Sequence, residues 1–303
     1  MSTKKSLFAN KTFLVALSFL LVMVLGAGIF GMEYSSAVSE REEKIESQNS
    51  QIKALESERN ALASQNEENQ SKIADYQKEV NDLQSQIKEL KKNDGDKVCY
   101  LTFDDGPSDN TLKILDILKR ANAKASFFVI GTSKLDYIKR IHNEGHTVAL
   151  HANNHDYSKI YKSEEAYFKD LNAIAAKVKK ITGVDSKIIR FPGGSSNTIS
   201  KDYNKGIMTR LTKQVQQKGY TYVDWNVDSN DATGNNVPKS KILNNVKMYS
   251  KGQGDICVLM HDTGAKNTTV EALPEMISYL RSEGFRFEAL TTESPIFHHG
   301  VNN

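Results

Sequence analysis

Residues 97–108 read KVCYLTFDDGPS. The run VCYLTF over 98–103 is rich in β-branched and aromatic side chains and predicts a strand. It runs straight into two carboxylates, Asp104 and Asp105, and then into Gly106-Pro107, which by itself is ordinary turn chemistry. Further β-rich runs follow at 125–130 (ASFFVI), 146–150, 187–191, 220–224, 256–260 and 286–290. Amphipathic helical patterns fall between them near 110–122, 133–144, 163–181, 202–218, 238–250 and 268–283. This alternation predicts an α/β domain on a parallel sheet, either open or closed as a barrel. In both forms chemistry gathers where the strands end.

The polar residues obey that rule. Asp104 and Asp105 follow the first strand, His151 the third, with His155 four residues on. Arg190 closes the fourth, Asp224 and Trp225 the fifth, His261 and Asp262 the sixth. Five strand ends therefore present carboxylate, imidazole or guanidinium to one rim.

Two imidazoles and a carboxylate form a common set for a catalytic divalent cation, so Asp105, His151 and His155 are the candidate metal ligands. Zinc is expected first, with cobalt or manganese as alternatives. A cation held this way keeps positions open for water and substrate and makes water a nucleophile at neutral pH. Its proton needs a base, for which Asp104 stands ready, and the leaving group needs an acid, for which His261 stands ready. Arg190 would hold Asp104 ionised and Asp231 would hold His261 protonated, unless each is a plain structural ion pair. The Gly193 amide, in Pro192-Gly193-Gly194, could face an oxyanion. His142 and His146 repeat the spacing of the ligand pair, but Gly145 reads as a helix stop and His146 as a strand start. That pair belongs at the other end of the sheet. The constellation describes metal-assisted hydrolysis of an acyl group.

Five motifs in order make residues 97–292 resemble the polysaccharide deacetylases, the NodB-homology domain of carbohydrate esterase family four. They are Thr102-Phe103-Asp104-Asp105-Gly106-Pro107-Ser108, His151-Ala152-Asn153-Asn154-His155, Arg190-Phe191-Pro192-Gly193-Gly194, Asp224-Trp225 through Asp231, and Leu259-Met260-His261. The resemblance implies a distorted (β/α) barrel that removes acetyl groups from N-acetylated sugars and releases acetate. It implies the same base, acid and ligands, and adds Trp225 and Leu259 as walls of an acetyl pocket. Three positions depart from the family: Ala152 where Ser or Thr is usual, Gly193 in place of Tyr, and Ala232 in place of an aromatic. The first removes a hydroxyl that would brace the histidine loop, and the second removes a wall of the groove.

Working back from residue 97, Asn93-Asp94-Gly95-Asp96 reads as a turn linker. A seven-residue period runs from Val38 to Leu90, with Val38, Ile45, Ile52, Ile73, Val80 and Ile87 at a, and Leu55, Leu62, Tyr76, Leu83 and Leu90 at d. It predicts a coiled-coil stalk over 33–92, in a parallel homodimer by its β-branched a and Leu d positions, against a solitary charged helix favoured by Arg59, Asn66 and Asn69. Its helical length would be roughly 80 Å. Residues 13–32 carry no charge and are long enough to span a bilayer, or else form a cleaved signal with Ser36-Ala37 as its site. Lys4, Lys5 and Lys11 before it put a cytoplasmic tail at 1–12 and the catalytic domain, 93–303, outside the cell. A membrane-anchored member of this family looks most like a peptidoglycan N-acetylglucosamine deacetylase. N-acetylmuramic acid, poly-N-acetylglucosamine or chitin oligomers are alternative substrates, and a decayed glycan-binding protein is an alternative function.

The remaining composition is restrictive. The 303 residues carry a net charge of +3, distributed as +3 over 1–32, −4 over 33–92 and +4 over 93–303. With no dense basic stripe, no nucleic-acid partner is expected. Cys99 and Cys257 are read as buried free thiols, with a cross-strand disulfide as the lesser alternative. His298 and His299 have no motif context and read as solvated.

Overall fold

The computed structural model describes the backbone of residues 4–92 and 97–303, and the side chains of 14–28, 32–33, 35–86 and 97–303. The chain divides into two compact units, 1–86 and 87–303. In the first, a single helix α1 (Lys4–Lys92) runs uninterrupted, as expected of a segment with no Gly or Pro from 33 to 92. Ile45, Ile52, Leu55 and Leu62 stand exposed along it. The expected span 13–32 falls partly outside the described residues, at 13 and 29–31, as do the linker 93–96 and the last heptad positions Ile87 and Leu90. Among the described residues no helix is long and apolar enough to cross a membrane.

The second unit begins with β1 (Lys97–Asp104), and the alternation predicted from the sequence follows: α2 (Asp109–Arg120), β2 (Ala125–Ile130), α3 (Ile138–Asn143), β3 (Thr147–Ala152), α4 (Tyr157–Ile160), α5 (Glu164–Thr182), β4 (Ile188–Ile189), α6 (Ile207–Gln217), β5 (Thr221–Tyr222), β6 (Val227–Asp228), α7 (Lys239–Ser250), β7 (Ile256–His261), α8 (Asn267–Ser282) and β8 (Phe285–Phe287). Helix boundaries follow their caps. Ser108 accepts from Asn110 N at the start of α2, and α5 runs from its Ser163 cap to Gly183 at φ 77°.

Every described strand pairing is parallel, in the order β5-β4-β3-β2-β1-β7-β6, with β8 beside the start of β1. Successive side chains on a strand face opposite ways. On β1, Cys99, Leu101 and Phe103 join the large core under the helices, while Val98 and Tyr100 join a smaller cluster with Phe128, Ala149, Ile188, Val223, Cys257, Leu290 and Phe297. One cluster drawing on both ends of the strand order requires a curled sheet. The curl is incomplete: β5 and β6 end the strand order without pairing with each other. The expected barrel is therefore an open half-barrel. Across its seam, Asp224 N donates to Phe297 O at 2.7 Å and Asn226 N to Cys257 O at 3.2 Å. Cys99 and Cys257 lie in different cores on opposite faces and are free, buried thiols.

Some predicted elements shrink where their residues serve loops. The strands expected at 187–191 and 220–224 keep two residues each, and β6 was not anticipated. The helix expected from 133 begins as a 3-10 turn, Leu135–Tyr137.

Candidate active site

Register alone brings the first two candidates together. In the β1–β7 pairing, Tyr100 faces Cys257, Thr102 faces Leu259 and Asp104 faces His261. All six share the inner face, so the carboxylate and the imidazole stand side by side at the strand ends. The chain then leaves β1 through Asp105, held at φ 69°, a left-handed conformation that Asp tolerates better than most residues. Gly106 follows with no room for a Cβ, which would collide with the Asp262 carboxylate.

The two histidines come from β3 and the loop after it. A register irregularity at Val129/Ile130 places His151 at a bulge. Asp105 Oδ1 lies 3.4 Å from His151 Nε2 and 3.4 Å from His155 Nε2. His151 Nδ1 donates to Arg190 O at 2.7 Å, which leaves the Nε2 lone pair facing the carboxylate. Burial pushes the His151 pKa down to about 3, against the pull of Asp105, so its imidazole is neutral. Asp105 Oδ1 is buried with no hydrogen-bond partner, and the three ligand atoms lie within 4.8 Å of one another. An orphaned carboxylate oxygen facing two imidazole Nε2 atoms fits a divalent cation. Asp105, His151 and His155 would hold it.

Arg190 is fully buried and spends its guanidinium on five contacts. It donates to Val223 O, Thr102 Oγ1, Asp104 Oδ1 and Asp224 O at 2.8–2.9 Å, and reaches Cys257 Sγ at 3.4 Å. Burial raises the Asp104 pKa, and the charges of Arg190 and His261 oppose it. Asp231 accepts from His261 Nδ1 at 2.7 Å and from His261 N and Thr269 Oγ1 at 2.8 Å. Burial works against a charged His261, but its bond to Asp231 and the carboxylates of Asp104 and Asp105 outweigh it and raise its pKa to about 9. A proton acceptor and a charged proton donor thus flank the cation ligands.

The loop Pro192-Gly193-Gly194 turns with φ 77° and 79° at its glycines. Among the described residues nothing accepts the Gly193 N–H. A Cβ on Gly194 would meet Trp225 Cη2 at 2.9 Å, so that glycine admits the indole. Leu259 is buried on the inner face of β7.

Sequence reasoning missed several supports. Asp170 on α5 accepts from Asn153 N at 2.6 Å and Asn154 N at 2.9 Å, bracing the histidine loop that lacks a hydroxyl at Ala152. Asp262 accepts from Thr111 Oγ1, and its carbonyl accepts from Ser108 Oγ, tying the first motif to the last. His298 is exposed, in keeping with its reading as solvated, whereas His299 is half-buried and that reading is corrected. His298 stacks on Tyr222, centroids 3.7 Å apart at 6°. His299 sits edge-on to Trp225 at 4.7 Å, its Nε2 on Trp225 O at 2.6 Å and its N–H on Asp224 Oδ2 at 2.9 Å. Asp224 also accepts from Ser195 N and Oγ. Through that buried carboxylate, segment 297–299, the glycine loop and the indole are joined. No motif marks it, because its contacts are set by tertiary packing.

The polysaccharide deacetylase family model matches residues 91–223, and a model described as pilus-like matches 9–125. A peptidoglycan-N-acetylglucosamine deacetylase of Bacillus cereus is 34% identical over 205 residues, covering 65% of this chain and 71% of the relative. Among solved structures, the catalytic domain of peptidoglycan N-acetylglucosamine deacetylase from Eubacterium rectale is 44% identical at TM-score 0.67, covering 69% of this chain and 95% of that one. A Bacillus cereus polysaccharide deacetylase is 33% identical at TM-score 0.59, covering 68% and 100%. Motif order, curled parallel sheet and rim chemistry agree with these likenesses, and this chain belongs to the polysaccharide deacetylase family, hydrolases that cleave an amide bond on an acetylated sugar.

Proposed function

We propose that this chain removes N-acetyl groups from N-acetylglucosamine of peptidoglycan, with a divalent cation, zinc first, on Asp105, His151 and His155. The observation that carries this is the pairing of Asp104 with His261 beside that ligand set. The cation, when bound, supplies Lewis acidity to the amide carbonyl and to water. Asp104 takes the proton of the attacking water as its oxygen bonds to the acyl carbon. The Gly193 N–H faces the acyl oxygen as charge builds there. His261, charged below about pH 9, gives its proton to the nitrogen as the carbon–nitrogen bond breaks, leaving acetate and a free amine. Arg190 and Asp231 orient the base and the acid, and Trp225 and Leu259 enclose the methyl group.

Two relatives whose printed names specify peptidoglycan N-acetylglucosamine support the choice of glycan. The uncharged run 13–32 behind Lys4, Lys5 and Lys11 supports a membrane anchor with the catalytic domain outside the cell. The exposed a and d residues of α1 support a parallel two-stranded stalk. The test is acetate release from peptidoglycan and from N-acetylglucosamine oligomers, with zinc and with chelator. Chelator-sensitive release that vanishes in Asp104→Asn supports the reading, and absence of release from both substrates overturns it. Protease access to the head in intact cells tests the topology, and sedimentation of the full chain tests the dimer.

A further inference from the structure

Tyr157 opens α4 two residues beyond His155, and nothing above uses it. Its ring sits edge-on to the His155 imidazole, centroids 5.5 Å apart at 84°, and tilted against Tyr161 at 5.7 Å. These contacts carry the phenol to the glycine loop: a Cβ on Gly193 would lie 2.8 Å from Tyr157 Oη and 3.4 Å from its Cε1. The hydroxyl therefore occupies the space that a side chain at 193 would take, beside the backbone N–H that has no acceptor among the described residues.

The contrast with Tyr161 is informative. Its hydroxyl is spent on the same loop, donating to Pro192 O at 2.8 Å. Tyr157 is half-buried, and its hydroxyl makes no hydrogen bond among the described residues. An idle O–H next to an idle N–H is what an electron-rich ligand oxygen requires.

We propose that Tyr157 is a further catalytic residue, whose O–H donates beside the Gly193 N–H to the acyl oxygen of the bound N-acetyl group. This rests on the deacetylase reading above. As water's oxygen bonds to the acyl carbon, the carbonyl π pair moves onto the acyl oxygen, and it returns when the carbon–nitrogen bond breaks. Tyr157 keeps its own proton throughout and contributes a hydrogen bond that strengthens with the charge.

The test is Tyr157→Phe in the full chain, assayed on N-acetylglucosamine oligomers. Phe keeps the ring against His155 and Tyr161 and removes an oxygen without a protein partner, so the fold and the bound metal are retained. The expected result is a roughly hundredfold fall in kcat, the lower end of losing one oxyanion donor, with KM within about threefold of wild type. Unchanged kinetics would overturn the proposal. A raised KM with kcat preserved would overturn it in favour of a contact to the sugar. A fall in kcat that tracks lost metal, measured as metal per chain after dialysis, would reduce Tyr157 to a prop for His155. If the wild-type chain itself releases no acetate, the deacetylase reading fails first and the proposal with it.

Discussion

Two histidine pairs of identical spacing, His142 with His146 and His151 with His155, sit at opposite ends of strand β3. At its start, His146 is buried and its Nδ1 accepts from Ala125 N at 3.2 Å, with Phe127 edge-on to the ring. Burial lowers its pKa to about 4, and both histidines line a cavity of about 290 Å3 with Val148, Val178 and Leu290. At the strand's end, the second pair meets Asp105, and among the described residues only this pair joins a set of metal-ligand geometry. Spacing is therefore not the signal. The end of a parallel strand on which a histidine falls decides whether it meets the carboxylates of its neighbours.

The sharpest way to break this contrast is to remove a ligand from one end and its counterpart from the other. Asp105→Ala or His155→Ala should lose the bound metal and drop acetate release to background, while His142→Ala should change neither. Metal content with turnover reads both, and a His142→Ala chain without metal would sink the assignment. The next largest effect belongs to the base. Asp104→Asn should cost about 10²–10⁴ in kcat, the usual worth of a general base, and should keep its metal.

Asp231→Asn asks how the acid stays charged. His261 is held at about 9 by Asp231 ahead of the other carboxylates that favour its charge. Without that partner it should titrate nearer the ordinary 6.5. The alkaline fall of kcat would then move towards neutral pH, costing about tenfold at pH 7.5, where such an imidazole is about one-tenth protonated. An unmoved alkaline limb would assign it to another group.

What could be read from residues alone was what repeats with a fixed period. Strand ends pick out Asp104, His151, Arg190 and His261, whereas the β1–β7 register that sets Asp104 opposite His261 comes from the folded sheet. What could not be read depends on chain reversals without a period: the two-residue strands at the seam, the Asp170 brace, and the return of 296–303 across Trp225. That return is testable because Trp225 is the sole tryptophan. His299→Ala should shift its emission and raise KM a few-fold at nearly constant kcat, by loosening one pocket wall. Unchanged emission would remove His299 from that wall.

The smallest effect on turnover, none, is expected at the other end of β3, where the histidine serves stability. The folded pKa of His146, about 4, lies below its unfolded value of about 6.5. Between those values the unfolded chain binds a proton that the folded chain refuses, so stability must fall as pH drops from about 6.5 towards 4. His261 has the opposite sign: its folded pKa is raised, so its contribution is complete below about 6.5 and is lost as pH rises through about 9. His146→Gln keeps an acceptor for Ala125 N but cannot titrate. Denaturant unfolding of both chains at pH 7 and pH 5 should show a smaller loss for the variant, with acetate release at pH 7 within twofold of wild type, roughly. Equal losses in the two chains would mean that His146 stays accessible to protons in the folded state, and that the two ends of β3 differ in chemistry but not in burial.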